Sequence, residues 1–227
     1  MATDKRDQFH RHPKKVEPGA PGFLWVLIGV MAVIELPLTL SDAGWIGSNS
    51  WRINVFLYGA FWQLLLDGGL APLYASQKVL MFLTHAFLHG SIAHFVMNSV
   101  VLLALGKGVA AYLGVGKTIL LLALSAITGA AAFGLLSAAS GPMIGASGAV
   151  FGLLGLWQAW DFRQRRQLNQ SVRPVLSGIM GLLLVNLVLF VVLSGTLAWE
   201  AHLGGWIVGW TAAWTFASQR KTRSQSL

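Results

Sequence analysis

The chain has 227 residues, of which 55% are hydrophobic and only 11% charged, and its mean hydropathy is +0.64. Because ordinary soluble domains carry about 25% charged residues, this composition excludes a soluble globular protein and predicts an integral membrane protein. The net charge is +8 and there is no cysteine, so disulfide bonds and thiol catalysis are also excluded.

Six apolar runs follow one another along the chain, and most approach the ~20 residues that a spanning helix needs. They lie at 23–40, 92–105, 117–139, 147–160, 174–194 and 201–218. The first run precedes Ser41-Asp42-Ala43, which has the form of a signal cleavage site. However, acidic residues occur before this run, and Glu35 and Pro37 interrupt it. We therefore expect a retained span instead of a cleaved signal.

The positions of the basic residues predict the orientation. If the amino terminus is cytoplasmic, only Arg52 and Lys78 of the 16 lysines and arginines lie outside. This is the positive-inside pattern. Six spans then place both termini in the cytoplasm. The positive charge is explained by topology and by attraction to anionic lipid, and we expect no nucleic-acid partner.

Residues 41–91 separate the first two spans, which is longer than structureless loops usually are. The segment 51–66 within it is mostly apolar and aromatic, which predicts a helix lying in the membrane interface. A seventh span over these residues is the alternative. It would invert everything downstream and place Arg163, Arg165 and Arg166 outside.

The fourth run begins at Ser147, within Gly145-Ala146-Ser147-Gly148. A helix over 147–160 rises about 21 Å, against a hydrocarbon core of about 30 Å. Ser147 is therefore expected below the outer surface, after irregular backbone at 141–146 that protein or water must line. Free N–H groups at a helix start favour an oxyanion nearby. A Ser-Gly pair is also a common cap, so this motif alone does not establish catalysis.

The sixth run begins with Ala-His-Leu-Gly-Gly at 201–205. Small residues recur at helical spacing on two runs, with Gly148, Gly152 and Gly155 on the fourth and Gly205 and Gly209 on the sixth. Such small faces let helices approach closely in lipid, which would bring Ser147 and His202 within proton-transfer reach. Glu200 is two residues from His202 and so does not share its helix face.

A third polar group opens the second span and consists of His85, His89, His94 and Asn98. Ser91 is typical of an N-cap, which places His94 and Asn98 four residues apart on one helix face. These supply two donors near the outer end of a span. A zinc site is the alternative, but the histidines straddle a predicted helix break without an acidic residue or cysteine nearby.

Together and in this order, the three motifs resemble those of the rhomboid intramembrane serine proteases. The patterns are H-x-x-x-H-x-x-x-x-H-x-x-x-N, G-x-S-G and A-H-x-x-G. The resemblance covers all six spans and implies an all-α, six-transmembrane-helix bundle. It also implies Ser147 as the nucleophile and His202 as the general base, in a dyad with no acidic third member.

The resemblance assigns roles to the surrounding residues as well. His94 and Asn98, with the Ser147 backbone N–H, would stabilise the oxyanion, at about 2.7–4 kcal/mol per donor. The supporting residues it implies are His85, His89, Gly145, Gly148, Phe151 and Gly205. His85 and His89 match positions that organise the outer loop and its water, and Phe151 falls where the family usually has a tyrosine packed on the catalytic histidine.

Two features depart from the family pattern. Many bacterial members carry a Trp-Arg pair before the first histidine of the second-span motif, whereas this chain has Leu80-Met81. The outer loop and the subfamily are therefore not assigned by the resemblance. Glu35, in the first span, matches no family role, and a water-exposed or hydrogen-bonded carboxyl is the expectation.

We predict an intramembrane serine endopeptidase of a bacterial inner (cell) membrane that acts on single-span membrane proteins and needs neither cofactor nor metal. Residues 1–22 and 219–227 are predicted cytoplasmic tails around a protease core at 23–218. A catalytically inactive relative that binds membrane clients is the alternative, although such relatives lack the serine or the histidine. A transporter should carry more buried charge in its spans. The sequence does not predict the oligomeric state.

Overall fold

The computed structural model describes residues 20–138 and 141–223. Most of the two predicted tails, at 1–19 and 224–227, lies outside the described residues. In chain order the helices are α1 (Gly22–Asp42), α2 (Trp51–Gly59), α3 (Gln63–Leu66), α4 (Gln77–Thr84), a 3-10 turn (His85–Phe87), α5 (Ile92–Leu113), α6 (Val115–Leu136), α7 (Ser147–Gln167), α8 (Arg173–Val192) and α9 (Trp199–Arg223). The six long helices coincide with the six apolar runs.

Four of the long helices, α1, α5, α6 and α8, are long and apolar enough to cross a membrane. The other two, α7 and α9, carry more polar residues. Asp161 and Arg163 lie in the second half of α7, after its apolar first half. Glu200 and His202 lie at the start of α9. Composition alone therefore supports four spans, and the count of six stays a prediction.

Glycines bring α7 and α9 into backbone contact, as the small faces predict. A Cβ atom added to Gly205 would overlap the carbonyl oxygen of Gly148, and one on Gly209 would overlap that of Gly152. The third helix of this group is α6, where a Cβ on Gly129 would lie 2.8 Å from the carbonyl oxygen of Ala201. The starts of α7 and α9 are thus held side by side.

Replacing Gly205 by alanine should therefore destabilise the bundle. The methyl group has no space against the Gly148 carbonyl, and overpacking typically costs about 1–3 kcal/mol. The measurement is the midpoint of thermal unfolding in detergent. Gly29→Ala on α1 is the matched control, since a Cβ there has nothing within 4 Å. Equal midpoints for the two variants would contradict the backbone contact.

The outer loop is structured, as its length predicts, but the single helix expected over 51–66 is wrong. The helix stops at Gly59, and Phe61 forms an antiparallel bridge with Met143. Two backbone hydrogen bonds of 3.0 and 2.9 Å join these residues, and the buried Phe61 ring packs edge-on against Phe82 and Phe133. These long-range contacts outweigh the local preference of an apolar segment for a continuous helix.

Candidate active site

The segment leading into α7 is irregular, as predicted, and the outer loop holds it in place. Besides the Phe61–Met143 bridge, the backbone N–H of Gly145 donates to the carbonyl oxygen of His85 at 3.0 Å. Gly145 has φ +111°, and a Cβ there would lie 2.8 Å from the His94 ring. Only glycine suits this position, because the backbone is strained for other residues and the histidine leaves no room.

Ser147 is the first residue of α7, and the structure brings it to His202 at the start of α9. Its Oγ lies 2.9 Å from His202 Nε2, although 55 positions separate the two in sequence. The His202 ring is stacked on Phe151, with ring centroids 4.0 Å apart and planes 5° from parallel. A hydroxyl within hydrogen-bond distance of an imidazole nitrogen is the geometry that general-base activation requires.

The second ring nitrogen of His202 has a partner that the sequence analysis did not name. His202 Nδ1 lies 2.6 Å from Oδ1 of Asn186 on α8. The sequence carried one signal for it, since Asn186 is the only amide or ionisable side chain between Arg173 and Glu200. A polar residue within an apolar span is a functional candidate by default.

His94 and Asn98 converge beside the segment that precedes Ser147. Ser91 caps α5 as predicted, its Oγ accepting from the His94 backbone N–H at 3.2 Å. A Cβ on Gly145 would lie 2.8 Å from His94 Nε2 and 3.6 Å from Asn98 Nδ2. The Asn98 Nδ2 is buried and finds no acceptor among the described residues. Such a donor is available to a group bound at the site.

His85 and His89 lie behind this pair and are both buried. His85 Nε2 is 3.4 Å from the carbonyl oxygen of Ala126, and the His89 ring packs edge-on against His94 with centroids 5.0 Å apart. Burial lowers the pKa of His85 to about 4. Burial and the charge of His94 lower the pKa of His89 to about 3. Both rings are therefore neutral near pH 7.

The histidines do not assemble as zinc ligands in the part of the chain that the structure describes. Within residues 20–138 and 141–223, no three histidine, aspartate or glutamate side chains are grouped to hold a metal ion. Oxygen, nitrogen and sulfur donors must converge on one point to bind such an ion.

An ion-pair network joins the outer loop to α1 and gives Glu35 a partner. Arg52 on α2 contacts both carboxylate oxygens of the fully buried Glu35, at 2.9 and 3.0 Å, and Asp42 at 2.5 Å. It also donates to the carbonyl oxygen of His89 at 2.6 Å. Burial acts to lower the pKa of Arg52, but hydrogen bonds and charge from Glu35 and Asp42 outweigh it and raise that pKa. Met81, of the Leu80-Met81 pair noted in the sequence, is a buried apolar residue.

Replacing Arg52 by methionine should leave Glu35 as a buried carboxylate without its cation. Losing one partner of a buried pair costs about 3–5 kcal/mol, and we expect the lower end because Arg52 keeps some contact with solvent. Thermal unfolding in detergent measures the effect. Neutralising the carboxylate as well, in Arg52→Met with Glu35→Gln, should recover much of the loss. Lys78→Met, at an exposed basic residue of the same loop, is the control, and an equal loss there would contradict the network.

The fold and the site define the class. Apolar helices of spanning length form a bundle in which Ser147 and His202 meet at the starts of two adjoining helices, which is the architecture of a helical membrane protein with a polar site between its helices. Residues 76–219 match the model of the Rhomboid domain family, and the chain belongs to the rhomboid family. It is accordingly a multi-pass membrane protein.

A curated relative agrees with this assignment. The chain is 30% identical over 149 residues to Rhomboid-like protease 3 of Toxoplasma gondii, a match that covers 64% of this chain and 55% of the relative. The chain thus spans about half the length of that relative.

Proposed function

We propose that the protein is an intramembrane serine endopeptidase in which Ser147 is the nucleophile and His202 the general base. The observation that carries this proposal is the 2.9 Å separation of Ser147 Oγ and His202 Nε2 in a chain of the rhomboid family. The stacking of Phe151 on the His202 ring supports it, because a fixed ring keeps Nε2 aimed at the hydroxyl.

The proposed reaction has two stages. Ser147 Oγ attacks the substrate carbonyl while its proton passes to His202 Nε2, and the tetrahedral intermediate collapses as that proton moves to the leaving amine. Water then hydrolyses the acyl-enzyme with His202 again as base. The proposed oxyanion donors are His94, Asn98 and the Ser147 backbone N–H. The buried Nδ2 of Asn98, which has no hydrogen-bond acceptor in the described part of the chain, supports this role.

The substrate class is proposed from the resemblance to rhomboid proteases. The proposed substrates are single-span membrane proteins cut near the outer face, where small and helix-breaking residues let the chain unwind. Hydrolysis needs extended backbone, because a carbonyl inside a helix is already hydrogen bonded.

A fluorophosphonate probe tests the proposal on the purified protein, because it reacts with activated serines. We expect one adduct, on the peptide that contains Ser147, and no adduct in Ser147→Ala. Failure of the folded wild type to react would favour the second candidate, an inactive family member that binds membrane clients.

The proposed compartment is a bacterial inner (cell) membrane, with six spans and both termini in the cytoplasm. The positive-inside distribution of lysine and arginine supports this topology. The cysteine-free chain allows a direct test by single cysteines. Thr196→Cys, between α8 and α9, should react with an impermeant thiol reagent on intact cells. Ser171→Cys, between α7 and α8, should react only after permeabilisation, and the reverse pattern would mean a miscounted span.

A further inference from the structure

Asn186 is a polar side chain on a helix that otherwise faces outward. Val175 is the only buried residue of α8. Val185 and Leu187, which flank Asn186 in the sequence, are exposed. Asn186 is half-buried and reaches His202 Nδ1 at 2.6 Å. The proposed reaction uses only the other nitrogen of that ring, so this hydrogen bond has no role in it so far.

The amide orientation of Asn186 follows from its second contact. Its Nδ2 lies 2.9 Å from the carbonyl oxygen of Leu182 on the same helix. A carbonyl oxygen can only accept a hydrogen bond, so the atom facing it must be the NH₂ group. The oxygen Oδ1 is therefore the atom that faces His202.

The orientation of Asn186 in turn defines the proton on His202. Because Oδ1 can only accept, Nδ1 must carry the hydrogen, and in the neutral ring Nε2 is then an unprotonated acceptor. Nε2 is the atom 2.9 Å from Ser147 Oγ. The serine hydroxyl thus donates to His202, which is the direction of proton transfer that nucleophilic attack requires.

We infer that Asn186 is a positioning residue that holds His202 in its Nδ1–H form and aims Nε2 at Ser147, completing a Ser147–His202–Asn186 chain. This inference rests on the proposed function. Phe151 fixes the plane of the ring by stacking, and Asn186 fixes which edge of the ring faces the serine.

An amide suits this position within a membrane. In serine proteases with a Ser-His-Asp triad, a buried carboxylate orients the imidazole, and in papain-like enzymes an asparagine takes that place. A charged carboxylate at membrane depth is costly. The amide supplies the same acceptor without a charge, and its NH₂ group is satisfied by Leu182 within α8.

Kinetics of three variants test the role. Asn186→Leu keeps the size but removes the acceptor, and should lower kcat about tenfold or more with KM nearly unchanged. Asn186→Asp keeps the acceptor and should recover activity relative to leucine. Its negative charge favours the protonated imidazole, so the acidic limb of the pH–rate profile should move to higher pH. His94 on α5 is the titratable residue whose charge acts on His202. It is unchanged in all of these variants, so it does not cause the difference between their pH profiles. Leu187→Ala, at an exposed side chain of α8, should match the wild type.

The tautomer itself can be read without any activity. In protein labelled with ¹⁵N-histidine, the His202 signals, assigned by their loss in His202→Gln, should show a protonated Nδ1 in the wild type. An Nε2–H tautomer there would overturn the inference even if Asn186→Leu does not fold. Wild-type kcat and pH profile in Asn186→Leu would also overturn it, while probe labelling of Ser147 left the proposed function intact. An unreactive Ser147 with a protonated Nδ1 would instead remove the proposed function and leave the positioning contact.

Discussion

Ser147→Ala and His202→Ala should each abolish cleavage of a test substrate with one membrane span, while both proteins still insert and unfold near the wild-type temperature. Nucleophile and base act as one unit, so removing either is expected to lower kcat on the order of 10⁶-fold, about as much as removing both. The double variant should therefore be no slower than either single variant. Activity is measured as the rate of product formation in detergent or in liposomes.

The control for this result is a serine outside the proposed site. Ser99 on α5 is a buried serine with 7% of its surface exposed. Ser99→Ala therefore makes the same chemical change as Ser147→Ala at another place in the bundle. It should retain wild-type activity. Turnover above the uncatalysed level in Ser147→Ala or His202→Ala would remove the dyad from the proposal.

His94→Ala and Asn98→Ala should lower kcat by on the order of a hundredfold or more with little change in KM, because oxyanion donors act mainly in the transition state. The two side chains flank Gly145, at 2.8 and 3.6 Å from where its Cβ would lie. Labelling of Ser147 by the fluorophosphonate should weaken in step, because the phosphoryl oxygen takes the place of the oxyanion.

Two comparisons sharpen this second expectation. Asn54→Ala, at an exposed asparagine of α2, should leave kcat unchanged. Zinc and chelators should affect neither His94→Ala nor Asn98→Ala. Restoration of activity by added metal would replace the oxyanion role with a metal site, and wild-type rates in both variants would reduce the pair to helix-packing residues.

Several local features could be predicted because they depend on near neighbours in the chain. The six long helices fall on the six apolar runs, α7 begins at Ser147, and Ser91 caps α5 through the His94 backbone. The meeting of α7 with α9 was also predictable in outline. Glycines at helical spacing mark the faces that can approach, and Gly148 and Gly205 do so.

Contacts between distant segments were not predictable in the same way. Asn186 lies 16 positions from His202, and Arg52 lies 17 from Glu35. Neither pair shares a helix turn, so its meeting depends on how whole helices are rotated and shifted against each other. The helix expected over 51–66 failed for the same reason, since its break at Phe61 comes from pairing with Met143.

By itself, the sequence determined which segments are helical and apolar, because propensity and periodicity are local properties. Its resemblance to the rhomboid family pointed to the serine, the histidines and Asn98 of the proposed site. Only the tertiary structure decided how those residues are oriented. The partner of His202 Nδ1, the partner of Glu35 and the enclosure of Gly145 by His94 each depend on a contact between segments that are distant in the sequence. Such contacts are set by backbone approach and hydrogen-bond direction in three dimensions, which residue spacing along one helix does not specify.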